Sequence, residues 1–216
     1  MLVLAHRGYH ADVPENTLAA FDAAVSLGAD GVETDVQVTR DGTPVLFHDR
    51  VIQGREVSAL THAELAALAG CEVPTLVEAL DAFPDIFWNL EIKMPTDPDP
   101  ILTVLRRYRN RREMLVSSFW HPVAVRFGRE LGVECGLLVA HRPISLSGLL
   151  RDTFPQHPAV VWNYEGADAE LIDEARIHGA CSYVYNVQTA DDHARVVSWR
   201  IAGVITDEPG LLVPKR

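Results

Sequence analysis

Carboxylates at alternate positions of a strand-like run are the first residues in this chain with an evident chemistry. In Gly31–Val38, GVETDVQV, side-chain alternation puts Glu33, Asp35 and Gln37 on one face and Val32, Thr34, Val36 and Val38 on the other. A second run, Ile86–Lys93, turns Glu91 and Lys93 to the face opposite Leu90 and Ile92. On an exposed antiparallel strand such alternation would mark only a wet face. In a parallel sheet both faces are covered, so interior carboxylates repel one another and lose solvation. A cation between Glu33, Asp35 and Glu91 removes both costs. An all-oxygen ligand set suits one hard divalent ion, Mg²⁺, Ca²⁺ or Mn²⁺. Lys93 either neutralises a phosphate oxygen beside that ion or pairs with Glu91 or another acid.

Two histidines stand where strand-like runs end, His6 in Ala5-His6-Arg7-Gly8 and His48 in Phe47-His48-Asp49. An imidazole titrates near neutral pH, so a pair can take up one proton and deliver another. A lone histidine at a strand end is ordinarily structural. The pair gains meaning from the acids and the lysine at equivalent positions. Arg7 offers a fork of donors suited to a phosphate, and Gly8 permits a sharp exit from the first run. Asn16 or Thr17 is expected to cap the helical pattern that follows Pro14-Glu15. The remaining histidines, at 10, 62, 121, 141, 157, 178 and 193, follow no ligand spacing and read as structural or solvated, with His10 set apart because it shares a loop with His6.

These side chains must be held by the elements that carry them. Eight short apolar runs recur along the chain: Leu2–Ala5, Gly31–Val38, Ile86–Lys93, Met114–Ser118, Glu134–Leu138, Val160–Asn163, Cys181–Val187 and Ala202–Thr206. Helical patterns separate them, at Thr17–Leu27, Leu76–Phe83, Ile101–Arg109, Val123–Leu131, Ala169–His178 and Ala190–Trp199. This rhythm predicts parallel strands with helical crossovers. Eight repeats predict an α/β fold closed as a (β/α)8 TIM barrel, with an open doubly wound sheet as the alternative. The Asp41-Gly42 turn predicts an extra strand, Val45–His48, folding back at the barrel mouth, and Asp49–Gly70 a short loop excursion after the second barrel strand. Pro95–Pro100 reads as a Pro/Asp turn. No linker or low-complexity stretch divides residues 1–216, which read as a single domain.

Composition narrows the partners. A net charge of −11 disfavours nucleic acid and demands a local positive site for any anionic substrate. The three cysteines lack metal or disulfide spacing and read as free thiols in a reducing compartment. No transmembrane segment or signal peptide is evident, so a cytoplasmic location is expected.

Taken in order, these motifs resemble the glycerophosphodiester phosphodiesterase family. The resemblance rests on His6-Arg7-Gly8, Pro14-Glu15-Asn16-Thr17, Glu33-Thr34-Asp35-Val36, Thr39-Arg40-Asp41-Gly42, Phe47-His48-Asp49, Pro74-Thr75-Leu76 and Leu90-Glu91-Ile92-Lys93. Ser118-Phe119 and the closing Gly203-Val204-Ile205-Thr206-Asp207-Glu208-Pro209 extend it along the whole chain. It implies His6 and His48 as an acid/base pair, Glu33, Asp35 and Glu91 as ligands of one divalent ion, and Arg7 and Lys93 as contacts to the substrate phosphate. The implied reaction turns a small glycerophosphodiester into glycerol 3-phosphate and an alcohol, drawn with attack by the neighbouring glycerol hydroxyl and a cyclic phosphate that water opens. Two departures stand out: Gln188 replaces a common tryptophan, and the stretch after His48-Asp49 is short and lacks an Arg-Thr-Thr pattern. The rival readings are a phospholipase D-like enzyme acting on lysophospholipids, with Trp120, Phe119 and Leu138 forming an acyl groove, and a non-catalytic barrel that only binds metal or a phosphoester.

Overall fold

A computed structural model of the chain describes residues 1–93, 97–151, 153 and 158–213. Its elements run β1 (Leu2–His6), α1 (Leu18–Leu27), β2 (Gly31–Val38), β3 (Pro44–Leu46), β4 (Val51–Ile52), β5 (Arg55–Glu56), α2 (His62–Ala69), α3 (Leu76–Ala82), β6 (Phe87–Ile92) and α4 (Asp99–Tyr108). They continue β7 (Met114–Ser118), α5 (His121–Leu131), β8 (Glu134–Val139), α6 (Leu146–Leu150), β9 (Pro158–Asn163), α7 (Ala169–Ile177), β10 (Cys181–Tyr185), α8 (Ala190–Val197) and β11 (Gly203–Thr206). Eight of the strands are parallel in the order β1-β11-β10-β9-β8-β7-β6-β2, and β1 pairs with β2 to close the ring. The TIM barrel is therefore closed, and the open sheet is excluded.

The predicted extra strand is present but shorter. β3 pairs antiparallel with Val36–Val38 of β2, on the edge that β1 has left free beyond Glu33. Phe47 and His48 lie past its end, although the Phe47 N–H still bonds the Asp35 carbonyl at 3.0 Å. The excursion after it is more ordered than a loop. It holds the β4–β5 hairpin and α2, whose Leu65 packs with Val45, Val57, Leu60 and Val73 in a small core of its own. Other boundaries move as well. The run Cys181–Val187 stops at Tyr185 because Asn186 turns to φ 62°, a left-handed conformation that no strand continues. Asp99 and Pro100 open α4 rather than ending a turn, since proline fits the first helical turn, where its missing N–H costs nothing. Pro95 lies outside the described residues.

Two apolar regions hold the ring. Leu4, Leu115, Val161, Tyr183 and Ile205 fill the barrel interior. Outside it, the Val32/Val36 face of β2 packs with Phe21 of α1, Leu76 and Leu80 of α3, and Trp88 of β6. Phe21 meets Trp88 edge to face at 5.5 Å, a favoured aromatic geometry. Gly8 lets the β1–α1 loop lie against α1: its φ is 77°, and a side-chain carbon there would sit 2.7 Å from the Ala20 carbonyl carbon. Such close approach and positive φ admit glycine and little else.

Candidate active site

The register of the parallel strands assembles the site at the carboxyl ends of β1, β2 and β6. His6 of β1 stands opposite Glu33 of β2, and Asp35 of β2 stands opposite Glu91 of β6. Ala5 pairs with Thr206, so the next residues, His6 and Asp207, meet across the β1–β11 seam. In a closed barrel this rim is where catalytic groups gather. A cavity of about 510 Å³ opens there. His6, Arg7, Glu33, His48, Glu91 and Lys93 all line it. Asp35 is buried just behind them.

Each carboxylate of the predicted trio offers an oxygen within 4.8 Å of the others. Burial, then the charges of Asp35 and Glu91, push Glu33 well above the usual carboxylate range. Burial also drives Asp35 up, but Lys93, Arg7, His48 and a hydrogen bond from Asn16 outweigh it and hold Asp35 below its ordinary value. Glu91 is raised by burial and by Asp35, with Lys93 opposing. Lys93 Nζ sits 3.1 Å from Asp35 and 2.8 Å from Glu91. Burial favours its neutral form, yet those two carboxylates keep its pKa above the ordinary lysine value. Glu33 is 3 % exposed; the Arg7 N–H donates to it at 3.2 Å, and His6 Nε2 stands 3.9 Å away without a hydrogen bond. A buried carboxylate with so little compensation, facing two more, fits a hard cation.

Arg7 stands at φ 54° and spans Asp35 and Glu15. Its Nη1 donates to both Glu15 oxygens at 3.0 Å. Its Nε is buried 3.3 Å from Asp35 Oδ2, yet at an angle that makes no hydrogen bond. A buried guanidinium donor without an acceptor is costly.

Each histidine is held by an aspartate. His6 Nδ1 is 2.7 Å from Asp207 Oδ1, and His48 Nδ1 is 2.8 Å from Asp49 Oδ1. Hydrogen bonds from His10 and then His6 keep the Asp207 carboxyl far below the usual range, so it accepts a proton from Nδ1. The neutral His6 ring then carries its lone pair on Nε2, toward Glu33. The His48 loop is held by Gln37, whose Nε2 donates to the carbonyls of Phe47, His48 and Asp49 at 2.7, 3.2 and 3.0 Å.

Several of these groups were not singled out from sequence. Asp207 is 201 positions from His6, and only barrel closure joins them. Gln37 shares the face of Glu33 and Asp35, which was the signal available for it. Thr17 proves to be the cap of α1, accepting from the Ala20 N–H at 3.2 Å. Asn16 serves the site instead. It donates to Asp35 Oδ2 at 2.9 Å and accepts from Thr34 Oγ1 at 2.6 Å and the Asp35 N–H at 3.3 Å. Asn16→Ala strands two buried donors and places alanine at φ 56°, so a loss of about 2–4 kcal/mol is expected, measurable as the shift of a urea unfolding curve. A loss within 0.5 kcal/mol, the ordinary scatter of neutral surface substitutions, would refute that role.

Gln188 lines the cavity, beside Phe119, Leu138, Tyr185 and Val187. Trp120 does not; it is 54 % exposed beyond the rim. No residue between 49 and 88 contributes to the lining among those described. His62, His121 and His193 bond backbone carbonyls, as expected of structural histidines. His10, by contrast, reaches the site through Asp207.

The whole chain has known relatives. The model of the glycerophosphoryl diester phosphodiesterase family matches residues 6–211. A glycerophosphodiester phosphodiesterase of Caldanaerobacter subterraneus subsp. tengcongensis is 30 % identical over 98 % of this chain and 96 % of its own. A crystal structure of the Thermotoga maritima glycerophosphodiester phosphodiesterase superposes with a TM-score of 0.81 at 27 % identity, covering 98 % of this chain and 96 % of that one. An Oleispira antarctica phosphodiesterase, solved in complex with the product sn-glycerol-3-phosphate, shares the fold with a TM-score of 0.84 at 22 % identity, over 97 % and 94 % of the two chains. The chain belongs to the glycerophosphoryl diester phosphodiesterase family.

Proposed function

We propose that this chain hydrolyses small glycerophosphodiesters to glycerol 3-phosphate and an alcohol, with His6 and His48 as general acid and base. One observation carries this reading: two imidazoles, each tied through Nδ1 to an aspartate, flank three converging carboxylates in one cavity. Glu33, Asp35 and Glu91 would hold one hard divalent ion, Mg²⁺, Ca²⁺ or Mn²⁺. When bound, it supplies Lewis-acid stabilisation of the phosphoryl oxygens. Arg7 and Lys93 bring the remaining positive charge, which a chain of net charge −11 needs locally for an anionic substrate. Held in place by Asp207 and by Gln37 with Asp49, the two rings meet the attacking and departing oxygens without reorganising. One takes the proton of the attacking hydroxyl, and the other protonates the departing alkoxide.

An apolar wall of Phe119, Leu138 and Val187 keeps a lysophospholipid in view as the second substrate class. Product analysis separates the two. Glycerophosphocholine should yield glycerol 3-phosphate and choline, whereas lysophosphatidylcholine cut the same way would yield lysophosphatidic acid. Turnover of the acylated substrate alone would reject the glycerophosphodiester reading.

Gln188 lines the cavity, and its amide donates to Asn186 Oδ1 at 3.1 Å. Gln188→Trp trades a polar tip for a flat apolar surface. It should reorder kcat/KM across choline, ethanolamine and glycerol head groups while leaving metal affinity as it was. An unchanged ranking would remove Gln188 from the alcohol subsite.

A further inference from the structure

His10 lies outside the cavity lining, yet its Nε2 approaches Asp207 Oδ1 at 3.3 Å, the same oxygen that faces His6 Nδ1 at 2.7 Å. Two ring nitrogens, from the end of β1 and the loop after it, and a carboxylate oxygen from just past β11 thus converge, all within 4.8 Å of one another. Both rings are partly exposed, and Asp207 is exposed, so an ion reaches them from solvent without opening the fold. The donor set differs from that of Glu33, Asp35 and Glu91. Three carboxylates suit a hard ion, whereas two imidazoles and one carboxylate suit a borderline ion and leave room for water.

We propose that His6, His10 and Asp207 form a second, inhibitory cation site for a borderline-soft divalent metal such as Zn²⁺. The inhibition rests on the role given to His6 above; the site itself does not. An ion on His6 Nδ1 displaces the proton that Asp207 holds there. The ring's remaining proton then resides on Nε2, where no lone pair is left to accept another. His6 is thereby locked out of proton exchange while Glu33, Asp35 and Glu91 keep their own ion. His10 is the group that sets this site apart, because it touches Asp207 without lining the cavity.

Co²⁺ serves as the probe, since its visible ligand-field bands report nitrogen ligation. Calorimetric and spectroscopic titration of the full chain should give two ions per molecule. In Glu33→Gln the nitrogen-ligated ion should persist. In His10→Ala, and in His10→Gln as a check on folding, it should weaken by roughly 10–100-fold, the scale on which even supporting groups of a metal site matter. Zn²⁺ added to Mg²⁺-loaded wild type should abolish hydrolysis, whereas each His10 variant should keep most of its own Zn²⁺-free rate at the same Zn²⁺ concentration. Equal Co²⁺ stoichiometry and spectra in wild type and both His10 variants would overturn the site, as would equally strong inhibition of all three by Zn²⁺. Zn²⁺ that binds in a His10-dependent manner without slowing hydrolysis would uphold the site and instead refute the catalytic role of His6.

Discussion

Replacing either His6 or His48 by alanine should lower kcat by on the order of 10²–10⁴ while metal affinity and fold persist. Both side chains are partly exposed at the rim, so truncation opens no cavity in the core. What would be lost, under the proposed mechanism, is a proton carrier held by Asp207 or by Asp49 with Gln37. If the two rings act in one step, the double variant should be little slower than the slower single variant, because groups that act as a unit do not contribute additively. A nitrophenyl ester of glycerol phosphate divides the roles. Its leaving group departs without a proton, so the variant lacking the general acid should regain most of its rate and the other should not. Near-normal turnover in either single variant, or equal rescue of both, would refute the pairing.

Glu33→Gln should make the protein more stable than wild type without metal and less stable with it. Burial and two facing carboxylates raise the folded-state pKa of Glu33 above its unfolded value. Between those two values the folded state binds more protons than the unfolded one. Stability therefore falls as pH rises through that window, and the penalty is complete above the folded pKa. Replacing the carboxyl by an amide should stabilise the metal-free protein at neutral pH, read as a rise in Tm. Wild type should instead gain about 2.7 kcal/mol at a hundredfold excess of ion over Kd, roughly 5–10 °C. The variant should lose most of that gain, leaving it the more stable protein without metal and the less stable with it. A Glu33→Gln protein that melts lower than wild type without metal, or responds fully to metal, would contradict this account. Trading stability for an ion-binding cluster is a common feature of functional sites.

Much of the fold was legible because parallel strands buried on both faces leave clear apolar runs. All eight barrel strands fall within two residues of the predicted runs, and the crossover helices follow their periodicity. The carboxylate trio and the lysine were legible for the same reason, since polar groups in an otherwise apolar barrel run need an explanation, and the two histidines drew their meaning from that company. The partners were not. Asp207 meets His6 only through the β1–β11 register, and Asn16 could be read equally well as a helix cap until Thr17 took that place. Helix α2 did carry a signal, the Thr61/Glu64 capping box followed by Gly70, but its alanine-rich body has little apolar periodicity to display. With five residues, α6 is too short for periodicity to reveal.

Release of glycerol 3-phosphate from glycerophosphocholine, followed in metal-stripped protein before and after Mg²⁺, Ca²⁺ or Mn²⁺ is restored, tests the central claim most directly. The account predicts no release from the stripped protein, recovery with at least one of the three hard ions, and no recovery in Glu33→Gln at the same concentration. Undiminished release from the stripped protein, or none under any loading of a correctly folded wild type, would contradict it.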